Sequence, residues 1–63
     1  MIISKASPIL IVDDSGAMRS IVRTLLAQFG YTDIDEASNG AAALTKIDEK
    51  HYDLVTLIGI WRR

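Results

Sequence analysis

The 63 residues carry seven Lys and Arg against eight Asp and Glu, a formal charge of −1, with no cysteine and 49% hydrophobic residues. That balance excludes a disulfide framework, a Cys-based zinc site, and the basic surface that nucleic acid or an anionic membrane would select. The chain suits one small domain, with no run near the roughly 18 apolar residues of a membrane span.

Residues 1–7 read as a lead-in. They lack a basic stretch followed by an apolar one, so no signal peptide is expected and the cytoplasm is the default location. Ser7-Pro8 favours an extended entry to Ile9-Leu10-Ile11-Val12, an uninterrupted aliphatic run suited to a strand buried on both faces of a parallel sheet. Asp13 and Asp14 follow at its carboxyl end, where open α/β sheets place their ligands. Side by side they repel each other unless a positive charge shares the site, and an oxygen-preferring divalent cation fits that need. Their alternative reading is an N-cap with a solvated acid, favoured by the helix dipole. Asp14 and Ser15 are both competent caps.

Met18, Ile21, Val22, Leu25, Leu26 and Phe29 then recur with helical spacing, and Gly30 stands where a helix takes its left-handed terminal residue. Arg19, Ser20, Arg23, Thr24 and Gln28 fill the other face, Arg19 and Arg23 forming a basic row that is solvated or meets a partner. Residues Ile34 to Glu36 suit an edge strand whose acids discourage edge pairing. Ser38-Asn39-Gly40 reads as turn and cap. A second helix is expected from about Gly40 to Lys50, with Ala43, Leu44 and Ile47 inward and Lys46, Asp48, Glu49 and Lys50 solvated. His51 is a solvated loop histidine.

Leu54-Val55-Thr56-Leu57-Ile58-Gly59-Ile60 is a second long apolar run, and Trp61 after it caps a core edge or anchors a partner. The order β-α-β-α-β predicts an α/β fold with a three-stranded parallel sheet and right-handed crossovers.

With these elements placed, the chain resembles the N-terminal half of a response-regulator receiver domain of the chemotaxis type. Ile9 to Ser15, Met18-Arg19, Ile21-Val22-Arg23, Leu25-Leu26, Gly30-Tyr31, Glu36-Ala37, Asn39-Gly40, Ala43-Leu44 and Tyr52 to Val55 carry the likeness, over residues 8–57. The resemblance implies a doubly wound, flavodoxin-like fold with strand order 2-1-3 in this half. It also implies Mg²⁺ held by Asp13 and Asp14, and a phosphoryl group passed from a histidine kinase to an aspartate ending strand three.

Aligned without gaps, that acceptor position falls on Ile58, and the family's later hydroxyl and lysine lie in strands beyond this match. Asp53 is no substitute, since five extended residues place it about 17 Å from Ile58 on the opposite rim. Phosphoaspartate chemistry is therefore not expected, and the Mg²⁺ site is incomplete and weak.

The expected role is a non-enzymatic, truncated receiver-like module engaging histidine kinases or other receivers. The alternatives are a residual phosphoacceptor built on Asp13 and Asp14, or a fragment of a full receiver. Strand three, Leu54 to Ile60 with Trp61, would be a long apolar edge without charge. It is expected to pair with itself in a homodimer, giving six strands in order 2-1-3-3′-1′-2′.

Overall fold

The structure, a computed structural model, describes residues 4–57. Five elements follow one another: β1 (Ile9–Val12), α1 (Gly16–Gln28), β2 (Ile34–Ala37), α2 (Gly40–Glu49) and β3 (Leu54–Leu57). The strands form one parallel sheet in the order β2-β1-β3, as the resemblance implies. Ile9 is in register with Ile34 on one side and Leu54 on the other. Among the described residues no helix is long and apolar enough to cross a membrane.

β1 is buried along its whole length because both of its edges and both of its faces are covered. Side chains alternate across the sheet, so the two faces have separate cores. Ile9, Ile11 and Ile34 form one, with Val22 and Leu26 of α1, Tyr31 and Leu54 packed on it. Leu10, Val12, Ala37 and Ala43 form the other, with Ala42, Tyr52 and Val55 packed on it. The helices therefore cover opposite faces, α1 on the first and α2 on the second.

Caps set the helix bounds. Ser15, not Asp14, is the N-cap of α1, its hydroxyl accepting from the Met18 N–H at 3.2 Å. Asn39 caps α2 in the same way through the Ala42 N–H at 2.8 Å. Gly30 ends the α1 turn at φ 97°, a left-handed conformation that a side chain resists. An added Cβ there would also lie 3.2 Å from Lys5 Cδ. The Lys5 ammonium donates to the Phe29 carbonyl and sits 5.1 Å from the Tyr31 ring centre, so it is not idle. Gly30→Ala should cost about 1–2 kcal/mol, read as a drop in the midpoint of thermal unfolding.

Several expected placements change. β3 is described to Leu57, and Ile58, Gly59, Ile60 and Trp61 lie outside the described residues. Ile21, Leu25 and Phe29 were expected inward on α1, yet they are 52%, 50% and 65% exposed. Leu44 and Ile47 of α2 are likewise exposed, and only Ala43 is buried. The reason is width. A sheet of three four-residue strands supports one narrow stripe of each helix, and the apolar periodicity is wider than that stripe.

Candidate functional site

β1 delivers Asp13 to the carboxyl rim of the sheet. The Asp13 N–H donates to the Ala37 carbonyl at 3.1 Å, carrying the backbone ladder one residue past the strand. Its side chain is 1% exposed, and Oδ1 accepts the Ser15 N–H at 2.9 Å. This local turn, aspartate side chain to backbone two residues on, leads directly into the Ser15 cap. Asp14 is exposed beside it. The two acids are thus neighbours with different surroundings, one packed into the rim and one facing solvent.

Arg19, one turn into α1, reaches back over this rim. Its Nη1 donates to the Asp13 backbone carbonyl, and its Nε donates to Glu36 Oε1 at 3.0 Å. Arg23 Nη1 donates to the second oxygen, Glu36 Oε2, at 2.7 Å. Glu36 faces α1 because it is two residues on from Ile34, which packs in the α1-side core. The Arg23 hydrogen bond, with Arg19 behind it, holds Glu36 below its ordinary carboxylate range against the opposing effect of partial burial. The basic row, expected to be solvated or to meet a partner, is a clasp that fastens α1 to β2 and pins the carbonyl between β1 and the acidic turn.

The opposite face carries a second polar clasp. Lys50 Nζ binds Asp33 Oδ1 at 2.7 Å and Asp35 Oδ2 at 3.1 Å. The Tyr52 hydroxyl donates to Asp35 Oδ2 at 2.6 Å. That Tyr52 bond leads the causes that lower the Asp35 carboxyl below its usual value. Burial, then the same bond, pushes the Tyr52 phenol up to about 12. The bonds to Asp33 and Asp35 raise the Lys50 ammonium above its usual value. Lys50 was expected to be solvated and is instead the pin between β2 and the turn before β3.

The remaining sequence candidates fall where their chemistry predicts. Asp53 donates its backbone N–H to the Pro8 carbonyl at 2.9 Å, which fixes it at the amino rim, away from Asp13. His51 is exposed, with Nε2 2.9 Å from Asp53 Oδ1. Leu54, Val55, Thr56 and Leu57 line β3 beside β1. Thr56 Oγ1 is buried without a hydrogen-bond partner.

Asp13 and Asp14 are hard oxygen donors at one rim, the chemistry Mg²⁺ takes while keeping several of its waters. The donor type fits. Among the described residues no group of three or more acidic, histidine or cysteine side chains gathers. Coordination would rest on two carboxylates and water, which is a low-affinity arrangement.

Arg19 and Glu36 are the site residues that sequence reading missed. A signal existed in the alternation of β2: Ile34 inward on the α1 face puts Glu36 on that face too, under the helix that carries Arg19 and Arg23.

Comparison with known proteins agrees with this geometry. The family model for the response regulator receiver domain matches residues 9–57. The chemotaxis protein CheY of Bacillus subtilis is 44% identical over 52 residues, which cover 82% of this chain and 43% of that protein. CheY1 of Helicobacter pylori is 42% identical over 53 residues, 84% of this chain and 42% of the relative. A putative transcriptional regulator of Pseudomonas aeruginosa is 49% identical over 55 residues, 86% of this chain and 27% of its own length. The chain spans less than half the length of these relatives.

Proposed function

Since the chain belongs to the response regulator receiver family, we propose that it is a cytoplasmic module of two-component signalling that binds and does not catalyse. What supports this reading is a contrast between the acidic rim and the sequence that follows β3. The acidic pair Asp13 and Asp14 stands at the carboxyl rim of β1 with its turn pinned by Arg19. Yet continuing the family pattern without gaps past its match at residues 9–57 puts Ile58 at the phosphoacceptor position. Phosphoryl transfer needs an acceptor oxygen in line with the leaving group and positive charge around it. Isoleucine offers no oxygen. An acidic rim without an acceptor at that position supports a reading in which this domain acts by association. Its partners are a histidine kinase or another receiver meeting the acidic rim, and a second copy of the chain meeting β3.

Incubation with acetyl phosphate and Mg²⁺, followed by intact-mass measurement, tests the chemistry. The expected spectrum shows the unmodified chain alone. A phosphoryl adduct mapped to Asp13 or Asp14 would instead establish a residual phosphoacceptor and overturn the reading. Titration with Mg²⁺ should show weak binding that is lost in Asp13→Asn. Purified histidine kinases and receivers from the same genome, tested for binding, should include at least one ligand.

A further inference from the structure

Asp13 and Asp14 share one short turn, and the elements around it hold the two differently. Asp13 is tied through both backbone and side chain. Its N–H reaches the Ala37 carbonyl beside β1, its Oδ1 takes the Ser15 N–H, and its carbonyl takes Arg19 Nη1. Asp14 is exposed beside it and begins at the far end of the same peptide unit. That unit is planar, so the Asp13 carbonyl and the N–H and Cα of Asp14 turn as one body. A bond on the carbonyl therefore fixes the direction in which Asp14 leaves the strand. Arg19 supplies that bond in one orientation because its fork is held from behind. Its Nε donates to Glu36 Oε1 at 3.0 Å, and Arg23 Nη1 occupies the other carboxylate oxygen at 2.7 Å. The Arg19 side chain is 19% exposed against 52% for Arg23, so its bonds are the less screened. The elements involved, β1, α1 and β2, all lie within the described residues.

We infer that Arg19 is a positioning residue for a divalent cation at the acidic rim. Held by Glu36, it sets the spacing of the Asp13 and Asp14 carboxylates and so raises their preference for Mg²⁺ over Ca²⁺. The inference rests on the cation reading given above for these two acids. Mg²⁺ demands near-ideal octahedral geometry at about 2.0–2.1 Å, whereas Ca²⁺ accepts about six to eight oxygens over a looser range. A fixed pair of carboxylates suits the first ion. The second binds a drifting pair nearly as well as a fixed one. Charge does not produce the same discrimination, because at the distance of the guanidinium both ions are the same double point charge. Arg19 repels the two alike, and Glu36 offsets that repulsion alike. A lysine could not replace the fork, since its donors share one atom and cannot hold acceptors on β1 and β2 in one plane.

Amide shifts of Asp14 and Ser15 in the isotope-labelled chain, followed as magnesium or calcium chloride is added at constant ionic strength, test the proposal. Arg19→Lys keeps the charge and removes the fork. Its Mg²⁺ affinity should fall about tenfold and its Ca²⁺ affinity less than about threefold. Lys50→Met, which opens the clasp on the opposite face, should leave the ratio of the two affinities unchanged. In the cation-free protein, Arg19→Lys should speed exchange of the Ser15 amide about fivefold while Leu10 and Ile11 keep their rates. That measurement needs no bound ion, and the steady β1 amides show that the variant is folded. Equal losses for the two cations, a ratio that shifts as far in Lys50→Met, or an unaltered Ser15 amide would each overturn the positioning role. Failure of the cation reading looks different: the wild-type chain would show no saturable shift with either ion, and the preference would fall with it.

Discussion

Leu10→Ala is expected to remove about 2–5 kcal/mol of stability. Leu10 is fully buried at the centre of β1, flanked in register by Asp35 of β2 and Val55 of β3. It is the largest side chain of its core, whose buried partners are Val12, Ala37 and Ala43. Those alanines are too small to swing into the space a lost isobutyl group leaves. The cavity would persist, and its cost adds to the lost burial. A chain of this size holds on the order of 3–9 kcal/mol in all. Urea denaturation should therefore show a midpoint shifted far toward zero with an unchanged slope. Leu44→Ala, at a position 65% exposed, should move the midpoint little in the monomer.

Glu36→Gln should cost about 1 kcal/mol at neutral pH, since solvent screens the half-exposed Arg23 pair. One carboxylate closes both arginines, and the amide that replaces it can accept from only one of them. Arg19 would then bind the Asp13 carbonyl without its second anchor, so the acidic turn loosens along with the helix. The pH dependence follows from the direction of the shift. Glu36 is depressed in the folded state from an ordinary value of 4.5, and Asp35 from 3.8. A depressed carboxyl contributes stability that is fully present above its unfolded value and is lost as pH falls through the folded one. The wild-type chain should hold its stability down to pH 4.5 and lose it below, as Glu36 and Asp35 take up protons. Glu36→Gln should start lower and fall less steeply over that window. Equal acid slopes for the two proteins would show that the clasp is not what titrates.

The elements and their caps were legible because they depend on nearest neighbours in sequence. The aliphatic run of β1, the small-residue cap before α1 and the glycine after it each act within a few residues. Parallel order 2-1-3 follows from the family likeness and the handedness of crossovers. Exposure was not legible in the same way. Periodicity tells that Ile21 shares a flank with Leu25, and that Leu44 shares one with Ile47. It does not tell whether any element lies against that flank, because coverage is a property of sheet width. The clasps were hidden for a related reason. Arg19 to Glu36 and Lys50 to Asp35 are separated by 17 and 15 residues, so they meet only once strand register is fixed. Of the site, the position of Asp13 and Asp14 was readable from sequence, and the pinning of their turn was not.

The two edges of the sheet differ in kind. At β2 the side chains of Asp35 and Glu36 are held by Lys50, Arg23 and Arg19 on either face, which leaves a charged, rigid margin. Among the described residues β3, Leu-Val-Thr-Leu, carries no charged side chain of its own. A clasped strand beside an unclasped apolar one makes the two sides of the sheet unequal partners for whatever lies against them.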